Sequence, residues 1–106
     1  MMVQVSVHRL FMLRFRIRIS PALGTRVGYA AALAEANGAE QGLAVLDAID
    51  QDAVSDYQPY WAARARLHAR IGDAAAAATA YDRAIGLESD PAVRRFLQAR
   101  RASLGN

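Results

Sequence analysis

The stretch Tyr57–Leu87, YQPYWAARARLHARIGDAAAAATAYDRAIGL, decides the fold of this chain. Its pattern predicts two helices joined by a turn at Gly72-Asp73, because glycine readily ends a helix in the left-handed conformation and aspartate caps the next one. Helices of this length joined by so short a turn pack as antiparallel neighbours. The residues that one helical repeat would direct inward are Trp61, Ala65, His68, Ala77, Tyr81 and Ala84.

Three more helices are predicted around this hairpin, so the fold class is all-α with about five helices over residues 20–106. Ser20-Pro21 and Asp90-Pro91 each place proline directly after a capping residue, which begins the first and fifth helices. The second helix runs from about Ala39 to Gln51, ahead of a polar loop. The other residues expected on inner faces are Leu23, Val27, Ala30, Ala31, Ala34, Leu43, Leu46, Ile49, Tyr57, Tyr60, Ile71, Ala74, Ile85, Val93, Phe96, Leu97 and Leu104.

Composition supports this prediction and excludes several kinds of site. The chain of 106 residues has 24 alanines and 13 arginines, both good helix formers, and contains neither lysine nor cysteine. The lack of cysteine excludes disulfides and thiolate metal sites, and it fits a cytoplasmic protein. From Ser20 onward nine arginines meet ten carboxylates, a net charge of −1. The predicted helical part therefore has no excess positive charge of the kind that nucleic-acid-binding faces carry.

The first 19 residues form a separate segment in which apolar and basic residues alternate. The period of two over residues 3–19 is typical of a strand, yet no second strand is predicted to pair with it. The segment is too short and too charged to span a membrane, and its charge lies on the wrong side for a signal peptide. An interfacial membrane segment is the alternative. We expect residues 1–19 to be an atypical basic tail, irregular or strand-like.

An internal repeat links the two predicted hairpins, since Gly38 and Gly72 are 34 residues apart and each lies between two helices. A helix-turn-helix period of this length is typical of tetratricopeptide repeats. The positions that carry the resemblance are Trp61, Ala65, His68, Ala77, Tyr81, Ala84 and Pro91. The earlier copy is weaker, because smaller residues replace the large ones of its first helix.

Residues 20–104 resemble the C-terminal tetratricopeptide-like region of bacterial extracytoplasmic-function (ECF) RNA polymerase sigma factors. The matching segments are AALAEANGAEQGLAVLDAI (31–49), DYQPYWAARARLHARIGD (56–73), TAYDRAIGL (79–87) and DPAVRRFLQAR (90–100). The resemblance implies a role in the regulation of transcription initiation, with sigma-factor domains, RNA polymerase or a regulator as protein partner. Such sigma factors have two promoter-binding domains upstream that are not matched. We therefore expect a fragment that does not bind promoter DNA alone.

No catalytic constellation is recognisable, so no enzymatic activity and no cofactor are predicted. His8 and His68 lack an acidic partner at ligand spacing, and the aspartates between the second and third helices lack the pattern of a calcium loop. No metal site is predicted.

Two interpretations of the surface stay open. The candidate interaction residues are Tyr57, Tyr60, Arg64, Arg94 and Arg95. Tyr57 and Tyr60, together with Trp61, either line a peptide groove or fill the core. A free-standing tetratricopeptide-like peptide-binding module is the alternative function, and its candidate groove residues are Gln58, Arg64 and Arg66.

Overall fold

The computed structural model describes residues 21–105, and the regular secondary structure of that part is entirely helical, without a strand. The prediction of an all-α fold is confirmed, whereas the predicted tail, residues 1–19, lies outside the described residues. The helices are α1 (Pro21–Asn37), α2 (Ala39–Asp47), α3 (Gln51–Val54), α4 (Gln58–Arg70), α5 (Ala74–Leu87) and α6 (Pro91–Ala102).

Helices α1 and α2 form the first hairpin, in which glycine shapes both the turn and the interface. Gly38 has a φ of 107° and its N–H donates to the carbonyl oxygen of Ala34 at 2.9 Å. Gly42 faces α1 so closely that a Cβ there would lie 2.6 Å from the Ala30 carbonyl oxygen and 2.8 Å from the Ala34 Cβ. The two backbones therefore pack directly against each other at this point.

Helix α2 ends at Asp47, earlier than the predicted end near Gln51. The N–H groups of Ala48 and Ile49 donate to carbonyl oxygens three residues back, at 3.2 and 3.1 Å. Such tighter turns commonly end an α-helix. Ile49 nevertheless remains buried, as predicted.

A short helix, α3, takes the place of the predicted polar loop. The Asp50 carboxylate caps it by accepting from the N–H of Asp52 at 3.3 Å. Val54, the last residue of α3, is fully buried in the core and anchors this helix. Because aspartate favours such local bonds to its own backbone, Asp50 begins a helix in the stretch where a loop was predicted.

Helices α4 and α5 form the second hairpin, and its turn agrees with the prediction. Gly72 has a φ of 85°. Its N–H donates to the carbonyl oxygen of Ala69 at 3.1 Å, and that of Asp73 donates to the carbonyl oxygen of His68 at 3.0 Å, which is the bonding of a Schellman motif. The Asp73 carboxylate then accepts from the N–H of Ala76 at 3.1 Å and caps α5.

Helix α6 begins at Pro91 with a cap from Asp90, as predicted, and packs against α5. Leu97 is the buried contact of α6. Nε and Nη2 of Arg101 donate to the two carboxylate oxygens of Asp82, at 2.6 and 3.1 Å. These hydrogen bonds lower the pKa of Asp82. They also tie the end of α6 to α5.

The hairpins stack in chain order, with α4 lying against both helices of the first hairpin. The core has two clusters of buried residues, one centred on α1 and α2 and one on α5, and Trp61 contacts both. Predicted inner residues that are buried in the first cluster are Leu23, Val27, Ala30, Ala34, Leu43, Leu46, Ile49 and Tyr60.

Three predicted inner residues are exposed instead, namely Ile71, Ala74 and Phe96. Ile71 is 41% exposed because α4 ends at Arg70, which leaves this side chain in the turn. Ala74, in the first turn of α5, is also exposed. Conversely Ala80, which was not predicted, is buried in the second cluster.

Candidate protein-interaction surface

Five of the six residues predicted as the repeat core lie together in the second cluster, and His68 is the exception. Ala65, Ala77, Tyr81 and Ala84 are buried in the second cluster. Trp61 and His68 are half-buried. Small residues at the helix contact let the two backbones approach, and the large rings fill the space beside them.

Trp61 stabilises the junction between α3, α4 and α5. Its indole N–H donates to the carbonyl oxygen of Val54 at 2.9 Å, and its ring packs edge-on against that of Tyr60, with centroids 4.9 Å apart. The guanidinium group of Arg83 covers the ring and donates to the carbonyl oxygen of Ser55 at 2.7 Å. These contacts give Trp61 a structural role.

Tyr60 and Arg64, two of the predicted surface residues, are turned inward. Tyr60 is fully buried, and its hydroxyl accepts from Gln51 Nε2 and Arg64 Nη1, both at 3.3 Å. Arg64 also donates to the Asp47 carboxylate at 2.7 Å. This network binds the end of the first hairpin to α4, so neither side chain is free for a partner. Tyr60 therefore fills the core and does not line a peptide groove.

The other three candidates do not combine with them into one patch. Tyr57 is half-buried and packs against the first cluster. Arg94 and Arg95 are exposed on α6, and no carboxylate among residues 21–105 forms an ion pair with either. A role for these arginines in binding a partner stays a prediction.

An open groove that the sequence did not reveal lies between α4, α5 and α6. Its volume is about 380 Å³. The apolar residues that line it are Ala62, Ala63, Tyr81, Phe96 and Leu97. Phe96 is 60% exposed, although it was predicted to face inward with Leu97. An exposed ring beside small apolar residues is a surface suited to a partner.

Two arginines complete the lining of this groove, Arg66 from α4 and Arg100 from α6. The guanidinium carbon of Arg100 lies 5.9 Å from the centroid of the Phe96 ring. No carboxylate among residues 21–105 forms an ion pair with Arg100. Arg66 was a candidate groove residue of the peptide-binding alternative, whereas Arg64 and Gln58 do not line the groove.

A smaller depression continues the groove toward α1 and shares Ala63 and Arg66 with it. Glu35 of α1 lies in this depression. Its Oε2 atom is 3.1 Å from Nη1 of Arg70 and 3.5 Å from Nη2 of Arg66. The face made by α1, α4 and α6 therefore already binds one carboxylate of the chain itself.

His68 lies outside this groove and is perturbed by its surroundings. Its Nδ1 atom is buried and has no hydrogen-bond partner in the described part of the chain. Burial lowers the pKa of His68, and the positive charge of Arg64 lowers it further, against the opposing effect of Asp73 and Asp47. A neutral imidazole is thus favoured.

Neither a metal-binding site nor a membrane-spanning helix is recognisable among residues 21–105. No group of three His, Asp or Glu side chains within residues 21–105 is arranged to hold a metal ion. Each helix there falls short of the length and apolar character that crossing a bilayer requires.

Comparison with known proteins returns no relative: no protein family, no curated protein and no solved structure matches this chain.

Proposed function

We propose that this chain is a non-catalytic protein-interaction segment of the kind that follows the promoter-binding domains of ECF sigma factors. Its role would be regulatory, in transcription initiation, through contact with sigma-factor domains, RNA polymerase or a regulator. Direct binding of promoter DNA is not part of this role. The support is the collinear resemblance of residues 20–104, together with an all-helical fold of two stacked hairpins.

The observation that carries the proposal is the open groove on the face formed by α4 and α6. Most apolar side chains of the helices are used to hold the hairpins together, yet Phe96 remains exposed beside Ala62 and Ala63. Soluble proteins that expose apolar side chains next to one another often use them to bind other proteins. Arginine and aromatic residues are also enriched where proteins bind one another.

The test is binding of the purified chain to RNA polymerase core enzyme and to the promoter-binding domains of an ECF sigma factor, each separately. We expect a complex with at least one of them, detected by size-exclusion chromatography and surface plasmon resonance. Phe96→Ala should weaken that complex, whereas Tyr29→Ala, which removes another exposed ring from α1, should not. A chain that binds none of these proteins would contradict the proposal.

The groove also favours a second candidate function, a free-standing module that binds a peptide. Arg66, on the first helix of the second hairpin, lines the groove as this function requires. The two candidates differ in their partner. Binding to peptides but to no component of the transcription machinery would favour the second.

A further inference from the structure

We propose that the groove between α4 and α6 binds an acidic amphipathic helix of a partner protein, with its apolar face on Phe96 and its carboxylates beside Arg66 and Arg100. This inference rests on the proposed function and adds the chemistry of the partner.

The shape of the groove suits a helix that supplies the large side chains. Ala62 and Ala63 keep the α4 side of the groove low, so that another backbone can approach closely. Phe96 and Leu97 form the opposite side from α6. An amphipathic helix placed in such a groove contacts it through apolar residues spaced three or four apart. The two alanines leave room for those residues, and the Phe96 ring gains cover that residues 21–105 do not provide.

The charge of the groove selects an acidic partner. Its charged lining residues are Arg66 and Arg100, and no acidic residue lines it. Glu35 shows what Arg66 binds, because its carboxylate lies 3.5 Å from Arg66 at the edge of the groove. Arg100 has the same donor groups but no carboxylate partner among residues 21–105. A carboxylate from a partner helix would supply the missing ion pair.

A protein partner explains this charge better than a nucleic acid does. Several arginines of the helical part are already engaged within the chain, including Arg64 with Asp47 and Arg101 with Asp82. Nucleic-acid binding draws its affinity from many phosphate contacts at once. Two arginines on either side of an apolar groove instead match a helix with one acidic and one apolar face.

The test uses the full chain and three designed peptides, with binding measured by calorimetry and the site located by amide NMR shifts. The first peptide is built of alanine, leucine and glutamate, with leucines at positions i, i+3, i+4 and i+7. The second replaces every glutamate by lysine, and the third replaces every leucine by alanine. We expect the glutamate–leucine peptide to bind at least about tenfold more tightly than either of the others. Its NMR shifts should centre on Ala62, Ala63 and Leu97.

Variants of the chain check the arginines separately from the fold. Arg100→Glu should weaken binding of the acidic peptide by about tenfold or more, whereas Arg26→Glu, an equal charge change at an exposed residue of α1 outside the groove, should change it less than about twofold. Glu35→Gln should strengthen binding, because it releases Arg66 and Arg70 from their internal partner. Circular dichroism of each variant confirms that the helices are intact.

Three outcomes would overturn the inference. Equal affinity for the glutamate and lysine peptides would remove the argument from charge. Shifts away from α4 and α6 would remove the site. Tighter binding of a single-stranded oligonucleotide, abolished by Arg100→Glu, would assign the groove to nucleic acid.

Binding of the acidic peptide in the groove, without binding to polymerase or sigma domains, would keep this inference while the proposed function fails. Binding to polymerase or sigma domains, without binding of the acidic peptide, would keep the proposed function while this inference fails.

Discussion

The guanidinium group of Arg83 lies over the indole ring of Trp61, with its central carbon 4.6 Å from the ring centroid. The same arginine donates to the carbonyl oxygen of Ser55 at 2.7 Å, while the indole N–H donates to that of Val54 at 2.9 Å. One aromatic side chain of α4 is thus linked to α5 and to the end of α3. This junction is expected to contribute strongly to stability.

Replacing Trp61 by phenylalanine should lower the free energy of unfolding by about 1–2 kcal/mol, because the hydrogen bond to Val54 and part of the packed ring are lost. Urea unfolding followed by circular dichroism measures the change. Arg83→Gln is the matched control for the cation contact, and it should cost less, about 0.5–1 kcal/mol. An unchanged urea midpoint for Trp61→Phe would show that the indole hydrogen bond does not matter.

Gly42→Ala should destabilise the first hairpin by about 1–3 kcal/mol, even though alanine is the better helix former. Its Cβ would lie 2.6 Å from the backbone oxygen of Ala30, which cannot move aside as a flexible side chain can. Thermal and urea unfolding both report the effect. Gly28→Ala in α1 is the control, because beyond the adjoining residues and backbone of its own helix no described atom lies within 4 Å of the new Cβ. The free energy of unfolding of Gly28→Ala should rise by up to about 1 kcal/mol from helix propensity alone. A lower free energy of unfolding in both variants would refute the packing argument.

Asp73→Ala should cost about 1 kcal/mol, because α5 loses the carboxylate that accepts from the N–H of Ala76. Asn at the same position should retain most of the stability, since its side-chain oxygen also accepts. Asp56→Ala removes an equal charge from an exposed residue without a cap, and it should be nearly neutral. Equal losses for Asp56→Ala and Asp73→Ala, measured by urea unfolding, would point to net charge and not to the cap.

The stability of the chain should fall below its value at neutral pH as pH decreases through the range just under 6.5, the ordinary pKa of histidine. Burial lowers the pKa of His68 in the folded state, followed by the charge of Arg64. The unfolded state therefore takes up its proton first as pH falls, and stability is lost until the folded state is protonated as well.

His68→Gln should reduce this pH dependence, since glutamine does not titrate. The measurement compares urea midpoints of the two proteins between about pH 8 and pH 5, a range that spans the titration of histidine. Parallel pH profiles for the two proteins would rule out His68 as the source of the dependence.

Local signals in the sequence predicted those parts of the fold that local chemistry determines. Gly38, Gly72 and Asp73 hold their predicted places because a positive φ and a capping carboxylate act within a few residues of chain. The short helix α3 was not predicted, since Asp50 could equally belong to a loop or cap a new helix. The two choices differ by only a few local hydrogen bonds.

The candidate site was less predictable because it depends on how separate helices face each other. Phe96 and Leu97 are adjacent in sequence, and the pattern of α6 does not say which of them α5 covers. Arg64 was expected on the surface, but the early end of α2 places Asp47 where it binds this arginine. Arg66 and Arg100 line one groove only because α4 and α6 lie on the same face. Nothing in the sequence signalled the groove, because Phe96 was expected to face inward with Leu97.

The contacts of Trp61 with both core clusters have a consequence for how the molecule comes apart. In arrays of repeats, each unit is held mainly by the interface with its neighbour, and cooperativity depends on the strength of that coupling. Here a single indole belongs to both halves, so neither can melt while the other keeps its full set of native contacts. The two hairpins should lose their structure in one calorimetric transition, with an enthalpy that belongs to the pair.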